Sequence, residues 1–219
     1  MAPHSAKARL RHPRSRGTAA AAIVLVALGL GLGDRPPDRA EASASHDRYC
    51  VDAECTGTKG SDRIVASDGD DTVHALGGDD TVHGLRGDDL VYGQSGRDVL
   101  LGDEKGEGGK DELHGGSEYD RIFGMAGRDR LYGDSGGDVV HGGDGSGDRM
   151  YGGPGDDTLD DAPRTRAGRD YFYGGPGDDD IYSRDGLRDK VSCGSGSDIA
   201  KADHADAVAD DCERVVRIG

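Results

Sequence analysis

The sequence predicts an all-β fold, a solenoid of parallel strands in which one nine-residue unit is repeated about fifteen times. Fifteen aspartates recur along the chain, and ten of the fourteen intervals between them are nine residues. An apolar residue stands two positions after each aspartate, and a glycine-rich segment precedes most of them. A short triplet around one apolar residue is typical of a strand, and glycine is typical of a tight turn.

The aspartates are Asp62, Asp71, Asp80, Asp89, Asp98, Asp111, Asp120, Asp129, Asp138, Asp148, Asp157, Asp170, Asp179, Asp189 and Asp198. The apolar residues that follow them are Ile64, Val73, Val82, Val91, Leu100, Leu113, Ile122, Leu131, Val140, Met150, Leu159, Phe172, Ile181, Val191 and Ala200. One unit therefore accounts for most of the chain.

The most regular copies are GGPGDDTLD (152–160) and GGPGDDDIY (174–182), followed by GLRGDDLVY (84–92) and ALGGDDTVH (75–83). Over residues 57–201 the chain resembles the GGxGxDxUx nonapeptide repeat of the RTX, or haemolysin-type calcium-binding, family. The resemblance implies a right-handed parallel β-roll in which the xUx triplets are strands. It also implies that the glycine turns and the fifteen aspartates bind several Ca²⁺ ions.

The residue types independently favour a hard cation. Carboxylate and carbonyl oxygens suit Ca²⁺ better than zinc or copper. If two units form one coil, residues eighteen apart lie about 4.8 Å from each other, so that Asp80 neighbours Asp62 and Asp98. Carboxylates stacked in this way repel unless a divalent cation lies between them. We therefore expect folding to depend on Ca²⁺, with a disordered chain in its absence.

Composition excludes several partners. Of 27 basic and 43 acidic residues, 7 and 3 fall within the first 44, which leaves 20 basic against 40 acidic residues in the remainder. A net charge of this sign disfavours nucleic acid and anionic membranes as partners. Only a third of the residues are hydrophobic, which fits a narrow roll better than a broad globular core.

Residues 1–44 are predicted to be a secretory signal peptide, because five basic residues in 1–17 precede an apolar stretch from Thr18 to Leu32. Cleavage is expected after Ala42 or Ala44. An uncleaved anchor is the alternative, although about 15 apolar residues are short for a bilayer. The mature chain is thus expected to be secreted, extracellular and without a membrane span, where millimolar Ca²⁺ is available.

Four cysteines in an exported chain indicate two disulfides. Cys193 and Cys212 are nineteen residues apart, about one coil, and should be neighbours, whereas Cys50 and Cys55 precede the first repeat. We predict that these pairs staple an N-terminal cap (45–56) and a C-terminal cap (202–219) onto the repeat domain (57–201). Metal binding by cysteine is the weaker alternative, because neither pair has zinc-finger spacing.

Insertions fall only in even-numbered units when units are counted from Gly57, namely in 102–114, 142–151, 161–173 and 183–192. They are therefore expected along one edge of the roll, and we expect that edge to bind fewer ions than the other. Glu118 stands where a turn glycine is expected, which puts the site at Asp120 in question.

A column of rings is predicted at the last position of the even units, formed by His74, Tyr92, His114, Tyr132, Tyr151 and Tyr173. Cross-strand stacking is the first interpretation. The alternative is a strip that binds an extracellular polysaccharide or protein.

These patterns favour a secreted calcium-binding repeat protein that folds on Ca²⁺ and has a structural or surface-interaction role. The alternative is a calcium-stabilised accessory protein that binds carbohydrate or, less favoured, catalyses a reaction. The sequence contains no HExxH pattern and no phosphate-binding loop, so no enzyme is predicted. An ice-binding threonine array, an EF-hand and an RTX toxin domain are likewise not predicted from these residues.

Overall fold

The computed structural model describes residues 46–51, 53–103, 108–145, 147–161 and 168–218. The predicted signal peptide lies outside these residues. Within the described residues, no helix is long and apolar enough to cross a bilayer.

The described chain forms two parallel sheets and no helix. The ten-stranded sheet contains β1 (His46–Tyr49), β3 (Asp62–Val65), β5 (Thr81–Leu85), β7 (Val99–Asp103), β9 (Arg121–Gly127), β11 (Val139–Gly145), β13 (Thr158–Asp160), β15 (Asp180–Ser183), β17 (Ile199–Asp203) and β19 (Arg214–Ile218). The nine-stranded sheet contains β2 (Glu54–Thr56), β4 (Thr72–His74), β6 (Leu90–Ser95), β8 (Glu112–Ser117), β10 (Arg130–Ser135), β12 (Arg149–Tyr151), β14 (Tyr171–Pro176), β16 (Lys190–Ser195) and β18 (Ala207–Val208).

Successive strands alternate between the sheets, so two nine-residue units form one coil. Between repeats with no insertion, residues eighteen apart are paired, as in Arg63 with Thr81 and Thr72 with Leu90. The fifteen repeats supply β3 to β17, and the caps supply β1, β2, β18 and β19, giving about nine coils. The predicted all-β parallel β-roll is therefore confirmed.

The core is one residue wide on each sheet. Each repeat contributes the apolar residue at the centre of its triplet, and all fifteen of these side chains are at most 2% exposed. The flanking residues of each triplet point outward, because successive side chains of a strand face opposite sides of the sheet. Burying a valine, leucine or isoleucine contributes about 1.5 to 3 kcal/mol, so this single file of side chains is the main apolar contribution to stability.

Both disulfides are present as predicted. Cys50 pairs with Cys55, and Cys193 pairs with Cys212 across a Cα to Cα distance of 5.1 Å. The first lies beside β2, and the second joins β16 to the segment that precedes β19. Each disulfide therefore fixes one end of the stack.

The insertions all fall in connections that lead from the ten-stranded to the nine-stranded sheet. They lie between β7 and β8, β11 and β12, β13 and β14, and β15 and β16. These connections occupy the same side of every coil, which we call the loop-bearing edge. The connections in the opposite direction form the regular edge.

Candidate calcium-binding edges

All fifteen repeat aspartates lie at the starts of their triplets and are buried, each at most 3% exposed. Both edges therefore carry a column of buried carboxylates. Burial of this many charged groups costs free energy unless each one is hydrogen-bonded or paired with a cation.

From Asp80 onward, one carboxylate oxygen of each of the thirteen remaining repeat aspartates accepts a hydrogen bond from the backbone of the preceding coil. On the regular edge, Asp80 Oδ1 accepts from the N–H of Asp62 at 2.7 Å, and Asp98 Oδ1 accepts from the N–H of Asp80 at 2.8 Å. The same bond recurs up to Asp198, which accepts from Asp179 at 2.8 Å. We call each continuous series of these bonds an aspartate ladder.

The loop-bearing edge carries an equivalent ladder. Asp89 donates its N–H to Asp111 Oδ1 at 2.9 Å across the first insertion, and Asp148 donates to Asp170 Oδ1 at 2.9 Å across the third. The aspartates on either side of these insertions therefore keep the ladder bond. The ladder is thus continuous on both edges, and the expectation that the loop-bearing edge binds fewer ions stays a prediction.

The second carboxylate oxygen, Oδ2, is buried without a hydrogen-bond partner in twelve of the fifteen repeat aspartates. These are Asp80, Asp89, Asp98, Asp111, Asp120, Asp129, Asp138, Asp157, Asp170, Asp179, Asp189 and Asp198. A buried carboxylate oxygen with no donor is energetically costly. Its repetition in coil after coil indicates a missing cationic partner.

In most units that open with glycine, this oxygen and a backbone carbonyl of the next coil both lie close to the glycine Cα. A side-chain carbon built on Gly124 would lie 2.6 Å from Asp129 Oδ2 and 2.6 Å from the carbonyl oxygen of Gly142. Any larger residue would therefore displace the two oxygen atoms. Carboxylate and carbonyl oxygens converge on the same turn surface, and this is the donor set that Ca²⁺ prefers. The residues present thus fit calcium.

The pKa values of the buried aspartates also indicate that the folded roll needs a cation near these carboxylates. Burial raises the pKa of Asp80 to about 7, that of Asp120 to about 8 and that of Asp129 to about 9. Hydrogen bonds from the backbone oppose this shift, and the ladder carboxylates above and below add to it. Without a cation, the folded roll therefore favours protonated over ionised aspartates.

Glu118 occupies the turn position that glycine holds in most other units, and it adopts a left-handed φ of 81°. Asp120 nevertheless keeps its place in the ladder, accepting from Asp98 at 2.7 Å and donating to Asp138 at 2.7 Å. The turn is preserved at the cost of a conformation that is unfavourable for a residue with a side chain. The aspartate at this turn is thus positioned like the others.

The first coil differs from the rest. Thr58 Oγ1 donates to Asp62 Oδ2 at 2.8 Å, and Ser67 Oγ donates to Asp71 Oδ2 at 2.8 Å. The oxygen that lacks a partner in later coils is here bound by a hydroxyl. In addition, Arg48 Nε lies 3.9 Å from Asp62 Oδ1. The N-terminal end of each ladder is therefore stabilised by protein groups.

At the other end, two acidic residues of the C-terminal cap continue the ladders. Asp189 donates its N–H to Asp206 Oδ1 at 3.0 Å, and Asp198 donates to Glu213 Oε2 at 2.9 Å. Sequence reasoning did not identify these residues or the two hydroxyls, because all four lie outside the aspartate positions of the repeat. Their signal in the sequence is only an acidic residue about one coil after the last repeat aspartates.

The predicted ring column is also present on the outer face of the nine-stranded sheet. His74, Tyr92, His114, Tyr132, Tyr151 and Tyr173 stack in this order. Their centroids are 4.4 to 5.0 Å apart and their planes differ by 4 to 19°. Each inner ring therefore has both faces covered by its neighbours, which confirms the stacking interpretation.

The repeat region of the chain matches a known protein family. The family model for the RTX calcium-binding nonapeptide repeat matches residues 56–91, 74–104, 105–140, 114–147, 141–160 and 164–186. These segments together cover more than half of the chain. Comparison with curated proteins finds no match.

Proposed function

Because this chain belongs to the RTX calcium-binding nonapeptide-repeat family, whose repeats bind Ca²⁺, we propose that it is an exported repeat protein whose roll forms when Ca²⁺ binds to the repeat aspartates. The observation that carries the proposal is the buried, unpartnered Oδ2 repeated in twelve aspartates. A cation at each turn would neutralise these oxygens and remove the repulsion between successive coils.

The ligands proposed are the repeat aspartates together with the carbonyl oxygens of the turns. The aspartate Oδ1 atoms are held by backbone N–H groups, so the carboxylates are oriented before an ion arrives. Bound Ca²⁺ would supply positive charge at the buried Oδ2 atoms. Asp62 and Asp71 are expected to contribute least, because Thr58 and Ser67 already bind their Oδ2 atoms.

Export is supported by the two disulfides, which persist in oxidising compartments outside the cytosol. It is also supported by the low affinity expected for extracellular calcium modules, about 10⁻⁴ to 10⁻³ M, which matches calcium concentrations outside the cell. We propose a structural or surface-interaction role and no catalytic activity for the roll.

Carbohydrate binding by the ring column is less favoured. Sugars bind aromatic residues through exposed ring faces, and in this column the faces of the inner rings are covered by neighbouring rings. The column instead adds stacking contacts between coils.

The proposal is tested by counting bound ions and following structure in the same titration. The purified chain is dialysed against chelator, Ca²⁺ is added, and bound ions are measured by equilibrium dialysis while far-UV circular dichroism is recorded. We expect several ions per chain and a cooperative gain of β structure at about millimolar Ca²⁺. Absence of calcium binding, or full β structure in chelator at neutral pH, would contradict the proposal.

A further inference from the structure

The unit that begins at Asp161 departs from the repeat at its first position. The other units of the loop-bearing edge begin with a small residue, namely Ala66, Gly84, Gly102, Gly124, Gly142 and Ser183. Asp161 is only 1% exposed. A carboxylate is thus buried where the fold otherwise accepts only small residues.

Two further aspartates approach this carboxylate. One carboxylate oxygen from each of Asp161, Asp170 and Asp185 lies within 4.8 Å of the others. Asp170 belongs to the aspartate ladder, whereas Asp185 comes from the lengthened connection between β15 and β16. Two of the three residues therefore lie outside the aspartate positions of the repeat.

Each of these carboxylates keeps an oxygen without a partner. Asp170 Oδ1 accepts from the N–H groups of Gly147 and Asp148, at 2.8 and 2.9 Å, but its Oδ2 is buried and accepts no hydrogen bond. Asp161 Oδ1 accepts from the N–H of Arg184 at 3.4 Å, and its Oδ2 is likewise buried and unpartnered. Asp185 Oδ1 accepts from the N–H of Leu187 at 2.7 Å, while its Oδ2 has no partner.

No positive side chain compensates these charges within the part of the chain that the structure describes. Arg184, which precedes Asp185, pairs its guanidinium with Asp160 at 3.7 Å, and Arg169, which precedes Asp170, donates to the carbonyl oxygen of Arg188 at 3.2 Å. Three carboxylates this close repel one another strongly in a buried environment. Among the described residues, the arrangement therefore favours binding of a cation.

We propose that Asp161, Asp170 and Asp185 bind an additional Ca²⁺ ion, at a site on the loop-bearing edge that shares Asp170 with the aspartate ladder and takes its other two carboxylates from outside the ladder. Three carboxylates offer up to six oxygens, which suits a large hard cation and does not suit zinc or copper. The site differs from the ladder sites because Asp161 and Asp170 of one unit and Asp185 of the lengthened connection one coil later converge on one ion. It fastens that connection to the body of the roll.

The inference rests on the proposed function in one respect only, which is that Ca²⁺ is taken as the ion available to the site. Asp161→Gly is the informative variant, because it restores the residue type with which most units begin and so preserves the roll. Asp185→Asn removes one ligand charge but keeps the oxygen that accepts from Leu187. Asp160→Asn is the matched control, since it removes an adjacent carboxylate that points away from the cluster toward Arg184.

Calcium stoichiometry of the full chain is measured by equilibrium dialysis, and circular dichroism at saturating Ca²⁺ verifies that each variant folds. We expect Asp161→Gly to bind one ion fewer than the native chain, and Asp185→Asn to bind that ion about tenfold more weakly because a ligand charge is lost. Asp160→Asn should bind the native number. An unchanged number of ions and unchanged affinity in both Asp161→Gly and Asp185→Asn would overturn the inference. Failure of the native chain to bind any Ca²⁺ would refute the proposed function instead.

Discussion

The backbone N–H of Asp138 donates to Asp157 Oδ1 at 2.7 Å, although the two residues are nineteen positions apart in the chain. This bond joins one coil to the next at the regular edge, and its counterparts join nearly every pair of coils at both edges. It leaves Asp157 Oδ2 buried and without a partner. The same carboxylate thus contributes to the stacking of coils and to the proposed binding of calcium.

The two roles of Asp157 can be separated by substitution. Asp157→Asn retains an oxygen that accepts from Asp138 but removes the charge, so it should raise the calcium midpoint of folding with little other effect. Asp157→Ala removes both the acceptor and the charge. It should cost a further ~1.5 to 3 kcal/mol, the range for a buried hydrogen bond to a charged group. Chemical denaturation at saturating Ca²⁺ measures the difference, and Asp156→Ala, which removes an exposed neighbouring carboxylate, is the control. Equal effects of all three changes would contradict this assignment.

Removal of one ladder charge should shift the calcium midpoint of folding similarly at the regular edge and at the loop-bearing edge. Asp138 on the regular edge and Asp129 on the loop-bearing edge have equivalent ladder bonds, to Asp157 at 2.7 Å and to Asp148 at 2.8 Å. Asp138→Asn and Asp129→Asn are therefore expected to shift the calcium midpoint by a similar factor. A titration followed by circular dichroism compares them. A much smaller shift for Asp129→Asn would support the hypothesis that insertions weaken their edge.

Acid should partly replace calcium. The pKa values of Asp138, Asp80 and Asp129 are raised to about 6, about 7 and about 9 in the folded chain, against an ordinary value of 3.8. The calcium-free folded state then binds more protons than the unfolded state, so its stability is greatest near pH 4 and is lost as pH rises toward 9. In chelator, β structure should increase when the pH is lowered from 8 to 5.5.

With calcium present, the calcium midpoint should rise over the same interval, because protons compete for the carboxylates. Loss of β structure on acidification in chelator would contradict this view of the ladder.

The hydroxyl groups of the first coil should matter independently of calcium. Thr58→Val removes the hydroxyl donor to Asp62 Oδ2 but keeps the shape of the side chain and the backbone N–H that donates to the same oxygen, and it should destabilise the roll by about 1 kcal/mol. The number of bound ions should not change, because no ion is expected at Asp62 Oδ2 in the native chain. There the hydroxyl binds the oxygen that is proposed to contact an ion in later coils. A gain of an ion, or a cost that disappears at high Ca²⁺, would show that the first coil is a calcium site like the others.

The two disulfides should contribute unequally. The Cys193 to Cys212 bond spans nineteen residues and the Cys50 to Cys55 bond spans five, so chain entropy predicts about 3 and about 2 kcal/mol, respectively. Cys193→Ala with Cys212→Ala should therefore lower the thermal midpoint in saturating Ca²⁺ more than Cys50→Ala with Cys55→Ala. The reverse order would indicate that strain or residual structure, and not loop closure, decides the contribution.

The regularity of the repeat made the body of the fold predictable. The triplet centred on Val82 was expected to be a strand, and it lies within β5, with Val82 fully buried. The pairing of residues eighteen apart and both disulfides followed from the same periodicity. Such local patterns are reliable because each unit repeats the same turn, the same inward residue and the same burial.

The ends and the interrupted units were less predictable. Thr58 and Ser67 look like ordinary turn residues until the structure places their hydroxyls on Asp62 and Asp71. Asp161 is one acidic residue among many, and only its burial beside Asp170 makes it distinctive. The sequence also does not show that the ladder continues across the insertions, and the expectation of fewer sites on that edge stays a prediction.

Every ladder bond runs from a backbone N–H to a carboxylate one coil closer to the C-terminus, so the stack has a polarity. Its N-terminal face presents the carboxylates of Asp62 and Asp71. Arg48 lies 3.9 Å from Asp62 Oδ1, and Thr58 and Ser67 donate to the two Oδ2 atoms, whereas Asp71 Oδ1 is buried without a hydrogen-bond partner. Its C-terminal face presents N–H groups that need acceptors, and these are met by Asp206 and Glu213. The groups at each end contact only the terminal coils, so they do not depend on the number of coils between them. A chain of this design can therefore gain or lose whole coils, and so change the length of the rod, without new ends.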